Sequence, residues 1–413
     1  MFRTKMAVDA MEPKPSRTAR PSSSRNSKSS SVRSNFTSIN FAGYNSSQNN
    51  YSSNSSLSTQ PSLSRLKDQL LPENPNIYHF SEIRAATDGL SARRFSSSSS
   101  SSSWRCTLRG RDVVVFQRKL KREMDTPQLS ERLSLICKIH HASIIKLLGA
   151  SISGSCIYLV YEYVKGASLG ECLRTSVNPS FTVLSNWLSR MKIASDIANG
   201  LDYIHNCTGR NSGFVHNHIK SSSIVIMEDS LNAQICHFGT AELCGEAVEE
   251  ENLESKDSGD DRKFRRTGSK AMKLEGTRGY MSPEFVSTGV ATRRSDVYAF
   301  GVVILELLSG EEALKYVFDD GRQKRVSVIE RAREAVNGGD VRRWIDKRLK
   351  DSYPVDVAEK MVNLALDCVE DDPRRRPDME RAALLIRKSF MDSEVWVKSF
   401  AMPVGISISM GPR

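Results

Sequence analysis

The chain has 413 residues, a formal net charge of +11 and 39% hydrophobic residues, which is enough for at least one large core. Its longest apolar run, Val297–Leu308, is too short to span a bilayer and contains Glu306, and no apolar leader begins the chain, so we expect neither a membrane-spanning nor a secreted protein. The eight cysteines stand singly, without a CxxC pair, and this spacing indicates reduced core residues rather than a metal site.

The first 66 residues differ in composition from the rest. They are rich in Ser and Asn and poor in large apolar side chains, so they cannot bury enough surface to offset the entropy lost on ordering. Residues 1–67 carry ten Lys or Arg against Asp9 and Glu12, a net charge of +8 out of +11. We predict a disordered basic tail over 1–66, acting as a solvated linker, a phosphorylated segment, or a contact to membrane phosphates or nucleic acid.

From residue 67 the pattern becomes that of a folded domain. YHFSEIRAATDGLS, residues 78–91, predicts a short helix that ends near Gly89. Eight consecutive serines, 96–103, stand where the next element should begin, before the β-rich run RDVVVFQRKL. The stretch 126–139 predicts a helix with one apolar face, and CIYLVYEYV, 156–164, predicts a buried strand. The residues of that helical face are Leu129, Leu133, Ile136 and Cys137.

The remainder is mainly helical. Helices are predicted at Leu184–Cys207, Arg294–Leu308, Ser327–Asn337, Val355–Val369 and Met379–Phe390. A small β-rich region followed by a larger helical one predicts an α+β fold of two lobes. We place the domain at 67–393, with the lobes at about 77–161 and 165–393 and a C-terminal tail at 394–413.

Seven motifs follow one another in a fixed order: HFSEIRAATDGLS, KIHHASIIKLLGA, YLVYEYVKGASL, IASDIANGLDYIH, GTRGYMSPEF, SDVYAFGVVILELLSG and DPRRRPDM. In order and spacing over about 300 residues they resemble the protein kinase domain of plant receptor-like kinases, and of the LysM type in particular. The resemblance implies a bilobal kinase fold.

The resemblance also implies that the structural anchors of this fold survive. Glu284 would pair with Arg376, and Asp296 would hold the backbone of the catalytic loop through charged hydrogen bonds. A stacked apolar column would link the lobes through His216, Phe238, Ile136 and Leu148.

The positions that bind Mg-ATP in the family are replaced. In the HRDxKxxN pattern, His218 falls at the catalytic Asp, Lys220 is kept and Ser223 falls at the metal-binding Asn, while His237 replaces the Asp of the DFG pattern. Mg²⁺ prefers carboxylate and carbonyl oxygens, so imidazole is a poor substitute. We expect no Mg²⁺ and ATP bound weakly or not at all.

The nucleotide cleft is degenerate as well. No glycine occurs between Gly89 and Gly110, where a phosphate-covering loop needs small residues. Phe116 or Gln117 falls at the strand lysine, with Arg118 or Lys119 able to swing in instead, and Arg132 falls at its glutamate partner, with Glu131 one position away. The hinge that would read an adenine ring is Tyr161, Glu162, Tyr163 and Val164.

Two other interpretations of the histidines remain open. His218 is able to accept a proton when neutral, and His218, His237 and Cys236 would suit zinc if they converged. The simpler interpretation is that these side chains fill a vacated cleft.

A segment at about 244–275 has an acidic half and a basic half, and we predict that it is a mobile insert. Thr267, Ser269 and Thr277 near the basic half are candidates for phosphorylation by a partner kinase, and the alternative is an insertion without a role.

We therefore predict a cytoplasmic pseudokinase, at the plasma membrane if it joins a receptor, that acts as a scaffold or allosteric regulator of an active kinase or receptor complex. The alternative is an atypical, ATP-binding Ser/Thr kinase. The second alternative is an adaptor that binds a membrane or nucleic acid through its tail, although a nucleic-acid partner is not expected.

Overall fold

The computed structural model describes residues 75–98, 101–175, 183–206, 214–246, 276–319 and 322–401. The predicted tail over 1–66 lies outside these ranges, as does the predicted insert from residue 247 to 275. In the described ranges, no helix combines the length and apolar character needed to cross a bilayer.

The first lobe is a six-stranded sheet with one helix on each face. Its elements are β1 Asn76–Ile77, α1 Phe80–Ala86, β2 Ser96–Ser98, β3 Ser101–Leu108, β4 Arg111–Lys119, α2 Thr126–Ile136, β5 Leu147–Ser153 and β6 Cys156–Glu162. The strand order is β1-β5-β6-β4-β3-β2, and only the β1–β5 pair is parallel.

Strand β4 divides its side chains between the two faces with period two. Val113 and Val115 belong to the apolar cluster under α1, while Val114 and Phe116 belong to the main core on the side of α2. This alternation decides which β4 residues face the cleft.

The serine run forms regular structure, which the sequence did not predict. Ser96–Ser98 pair antiparallel with Ser101–Ser103, and Ser102 and Ser103 pair in turn with β4. The next residue, Trp104, is buried and fixes the strand to the sheet. Backbone pairing to β4 therefore overrides the weak strand preference of serine.

The second lobe is helical around a small three-stranded sheet, with one separate hairpin. Its elements are β7 Gly166–Ser168, α3 Leu169–Arg174, α4 Trp187–Asn206, β8 Ile224–Met227, β9 Ala233–Ile235, α5 Thr240–Cys244, α6 Pro283–Thr288, α7 Arg293–Ser309, β10 Leu314–Asp319, β11 Arg322–Ser327, α8 Val328–Asn337, α9 Val341–Trp344, α10 Val355–Cys368 and α11 Met379–Ala401.

The central helix of this lobe is α7. It is buried on every side over most of its length, as expected of a helix that is apolar all round. The Thr292 side chain caps its first turn by accepting a hydrogen bond from Ser295 N, and Gly310 ends it at φ +73°.

The predicted two-lobed α+β fold is confirmed, and the predicted helices form within three residues of their expected ends, with one exception. Helix α11 continues to Ala401, past the expected boundary at 393. Ser393 is fully buried there and accepts a hydrogen bond from Trp187 Nε1 at 2.8 Å, so α11 packs against α4 up to that boundary.

Candidate functional site

A cleft of about 800 Å³ lies between the lobes. It is bounded by β4 and the end of β6 on one side and by β8 and the residues after β9 on the other. The predicted hinge residues all line it, together with Val114, Phe116, Val225, Cys236 and His237. The described residues of its lining include no Lys or Arg.

Tyr161, at the end of β6, closes the back of the cleft. Its side chain is buried, and its hydroxyl donates a hydrogen bond to Phe238 O at 2.8 Å and lies 3.1 Å from Thr240 Oγ1. Burial raises the pKa of Tyr161 well above its usual value, so the hydroxyl keeps its proton. The hinge is thereby joined to the segment that begins with Phe238.

At the mouth of the cleft, the Tyr163 ring lies under the Arg105 guanidinium at 3.6 Å from the ring centroid, and Phe95 packs against its edge. Glu162 and Val164 flank it in the lining.

The pairing of β4 with β6 decides which of the two candidates for the strand-lysine position faces the cleft. Phe116 faces the cleft, whereas the Gln117 amide points to the other face, where it bonds Tyr158 Oη at 3.3 Å. Of the two candidates, Gln117 therefore lies outside the cleft, because adjacent strand residues face opposite ways. Arg118, two residues beyond Phe116, returns to the cleft side.

The catalytic-loop backbone keeps the expected support. Asp296 accepts hydrogen bonds from the amides of His216 and Asn217, both at 2.7 Å, and its carboxylate also lies 3.0 Å from His205 Nε2. The Glu284–Arg376 pair is present too, at 2.7 and 2.8 Å. The scaffold of the loop is intact although its chemistry is changed.

The His218 side chain lies beside the Glu246 carboxylate, a contact that the sequence did not predict. Its Nε2 atom lies 2.9 Å from Glu246 Oε2, as an ion pair that is not aligned as a hydrogen bond, while Asn217 Nδ2 donates to the same oxygen at 2.9 Å. Burial tends to raise the pKa of Glu246, but His218, Lys121 and Asn217 together lower it to about 2.

Glu246 is the first acid of the segment predicted to be a mobile insert. Cys244 is buried and Glu246 contacts His218, so these two residues of that segment are packed against the domain.

His237 occupies the turn before Phe238 with φ +73°, a conformation that His tolerates better than most residues. Its ring packs edge-on against Phe116 at 4.5 Å and against Tyr161 at 6.1 Å. Burial, and next the charge of Arg118, lowers the pKa of His237 well below its usual value, so the imidazole is neutral. The space that would hold a lysine and an aspartate is filled by aromatic rings.

Ser223 lies beside His237, because its carbonyl accepts a hydrogen bond from Cys236 N at 2.8 Å. Its hydroxyl is buried and, among the described residues, has no hydrogen-bond partner. A hydroxyl and a neutral imidazole therefore stand at the two protein positions that ligate Mg²⁺ in the family, and this donor set does not fit that ion.

Zinc has no site here either. Within the described ranges, no three His, Cys, Asp or Glu side chains converge as metal ligands. Burial raises the pKa of the Cys236 thiol to about 12, so this group stays protonated.

Lys220 donates a hydrogen bond to Thr277 Oγ1 at 3.2 Å. Burial, then the charge of Arg118, lowers its pKa. Of the three predicted phosphorylation sites, Thr277 is exposed, and Thr267 and Ser269 lie outside the described residues.

Helix α2 presents Arg132 where the family has glutamate. Arg132 Nη1 donates to Glu242 O in α5 at 2.8 Å, so this side chain attaches the helix to the segment after Phe238. Glu131 is exposed.

One member of the apolar column between the lobes differs from the column predicted from the sequence. A methyl group on Gly239 would lie 2.7 Å from Ile136 Cγ2 and 3.6 Å from Leu147 Cδ2, which places both aliphatic side chains against the Phe238 turn. Leu148, the expected member, packs instead on the other face with Tyr78 and Tyr158. Leu147 takes that place because adjacent strand residues alternate.

Comparisons with known proteins agree with this architecture. A family model described as "Protein kinase domain" matches residues 100–385. LysM domain receptor-like kinase 3 of Arabidopsis thaliana is 31% identical over 339 residues, covering 80% of this chain and 48% of that protein. Chitin elicitor receptor kinase 1 of the same plant is 32% identical over 292 residues, covering 70% and 42%. The chain thus spans less than half the length of these two relatives.

Among solved structures, the pseudokinase domain of BIR2, an immune regulator of the RLK/Pelle family, matches with a TM-score of 0.58 at 22% identity. The match covers 78% of this chain and 93% of that domain, and it supports the fold.

Proposed function

We propose that this chain, which belongs to the protein kinase family, acts as a pseudokinase that regulates or scaffolds an active kinase or receptor complex. One observation carries the proposal. Where Mg-ATP would be held, Phe116 stands for the lysine, His218 for the catalytic carboxylate, and Ser223 and His237 for the two metal ligands. The His237 ring is packed on Phe116, with 4.5 Å between ring centroids.

The missing groups are those that phosphoryl transfer requires. Catalysis of this reaction depends on positioning and on charge stabilisation by metal ions, and losing one positioned electrostatic group commonly costs about 10²–10³ in rate. Several losses at one centre leave little turnover even when they are not additive. ATP, if it enters the cleft, is held weakly and without Mg²⁺ in this proposal.

A regulatory role is supported by what the chain keeps. Asp296 and the Glu284–Arg376 pair preserve the surface around the catalytic loop, and Tyr161 and Arg132 fix the segment after Phe238. A kinase fold held in one conformation is suited to binding a partner kinase. The named relatives are receptor kinases, so the proposed partner is an active receptor-type kinase in the cytoplasm at the plasma membrane.

The test measures phosphate transfer and partner activity separately. The full chain is incubated with radiolabelled ATP and Mg²⁺ or Mn²⁺, alone and with an active receptor-type kinase domain. We expect no label transfer by the chain alone, and a changed rate of the active kinase when the chain is added. Label transfer that Lys220→Ala abolishes would establish the active-kinase alternative instead.

A further inference from the structure

The outer face of helix α11 carries an apolar stripe. Among the described residues, the three most exposed large hydrophobic side chains are Val395 at 67%, Leu384 at 62% and Met391 at 59%. At about 100° per residue along a helix, these three side chains lie within about 40° of one another. Single exposed apolar side chains are common, but a stripe of them on one helix face indicates a contact surface.

The stripe faces away from the domain. The opposite face of α11 is buried, as Ala382, Ile386 and Ser393 show, and Trp187 of α4 donates to Ser393 Oγ at 2.8 Å. A second helix can therefore lie along the stripe while the domain stays on the far side of α11.

Charged side chains of both signs flank the stripe. The helical period assigns them to two sides. One flank holds Arg381, Lys388 and Asp392, and the other holds Glu380, Arg387, Glu394 and Lys398. Four cations and three acids make this face nearly neutral, whereas helices that bind anionic membranes have a strongly basic polar face. The charges favour a protein partner over a membrane surface.

The order of these charges is complementary to itself in an antiparallel pair of α11 helices. A two-fold axis relates the two copies, so each flank faces its own counterpart. When Leu384 lies opposite Val395 of the second copy, three pairs of opposite charge come within about 3 Å of the same level, at about 1.5 Å per residue. The pairs are Lys388 with Asp392, Arg387 with Glu394, and Glu380 with Lys398.

A parallel pair of the same helices would be unfavourable. In that arrangement the two different flanks face each other, so Arg387 would meet Lys388 and Glu394 would meet Asp392 of the second copy. Charges at such flanking positions set the orientation of paired helices. The charge pattern therefore selects the antiparallel arrangement.

We propose that the apolar stripe of α11 is a homodimer interface, in which α11 packs antiparallel against α11 of a second copy of this chain. A single helix pair buries less than the roughly 800 Å² per partner of a standard interface, so we expect a weak dimer with a dissociation constant on the order of 10 µM. The inference does not depend on the pseudokinase proposal, because self-association involves neither the cleft nor a partner kinase.

Sedimentation of the full chain over a range of concentrations measures the self-association. We expect a monomer–dimer equilibrium. Met391→Glu, at the centre of the stripe, should weaken the dimer by about 10-fold or more, because it places a carboxylate in an apolar contact. Leu135→Glu makes the same kind of change at an exposed position of α2 in the first lobe, and it should leave the dissociation constant unchanged.

An exchange of charges tests the antiparallel register. Lys388→Glu and Asp392→Lys each place like charges opposite each other, and each should weaken its own homodimer about fivefold. A mixture of the two variants restores opposite charges at both positions, so it should form a heterodimer as tight as the natural dimer. Neither chain carries both substitutions, so a contact within one helix cannot produce this rescue.

Three results would overturn the proposal: a monomer at every concentration, a Met391→Glu dimer as tight as the natural one, or a mixture that associates no better than its components. Binding to anionic vesicles that Met391→Glu abolishes, without self-association in solution, would assign the stripe to a membrane instead. Phosphate transfer is not measured in any of these experiments, so their outcome and that of the pseudokinase test are separate.

Discussion

At the scale of single residues, this protein keeps the backbone of the kinase catalytic loop but carries imidazole side chains where the family has carboxylates. His216 and Asn217 are still held by Asp296 at 2.7 Å, so His218 stands where a catalytic carboxylate would stand. His237 likewise keeps the turn before Phe238. A carboxylate replaced by imidazole alters which ion the site accepts, while the packing beneath it stays the same.

The buried histidines make stability depend on pH. Burial lowers the pKa of His216 from 6.5 to about 4, and lowers that of His237 as well. Below the unfolded value the unfolded chain binds more protons than the folded one, so the free energy of unfolding falls as pH drops from 6.5 toward 4. Each unit of pKa difference is worth about 1.4 kcal/mol. Glu246, lowered from 4.5 to about 2, extends the loss to lower pH.

Urea denaturation between neutral and acidic pH checks this expectation. His237→Asn, which tolerates the positive φ, should give a shallower pH dependence than the natural chain, because one buried group no longer titrates. His79→Asn, at an exposed position, is the control and should keep the natural slope. Equal slopes in all three proteins would contradict the assignment.

At the scale of elements, the short helix α5 depends on tertiary contacts. Five residues are too few for an isolated helix. Its start is held by the Tyr161 hydroxyl and its body by Arg132 of α2. These contacts join the first lobe to the segment that continues to Glu246, which contacts His218.

Removing the Arg132 contact should therefore loosen α5 without unfolding the domain. We expect Arg132→Met to speed hydrogen exchange of the Leu243 amide, which bonds Gly239 O, by about fivefold, corresponding to about 1 kcal/mol for one hydrogen bond. Hydrogen exchange followed by mass spectrometry measures it. Glu131→Gln, at the exposed neighbouring position of α2, should have no effect, and a matching change there would reject the role of Arg132.

At the scale of the whole molecule, the second lobe is tied together by a buried arginine. The Arg376 side chain is fully buried and bonds Glu284 of α6, the backbone of Glu370 and the backbone of Arg294 in α7. Helix α6, which follows the predicted insert, is thereby fixed to the helical core of the second lobe.

Arg376→Ala should lower the free energy of unfolding by about 3 kcal/mol, because it leaves the Glu284 carboxylate and two carbonyls without their donor. Chemical denaturation monitored by circular dichroism measures the loss. Arg374→Ala removes an exposed pair with Asp372 two residues away and should cost much less stability. Losses of equal size would show that burial of the pair does not matter.

The sequence by itself determined the fold, its family and the loss of the metal-binding residues, because these follow from residue types at fixed spacings. Helix α10 buries one face with a helical period, and α7 is apolar on all sides over several turns. Both patterns, at such lengths, predict helices.

Only the tertiary structure decided which residues share the cleft. A shift of one residue along a strand reverses the face of every side chain, so the choices between Phe116 and Gln117 and between Leu147 and Leu148 depended on pairing with neighbouring strands. Glu246 was not recognised for another reason: its partners His218 and Asn217 lie almost thirty residues away in the chain, and local composition carries no signal of such a contact.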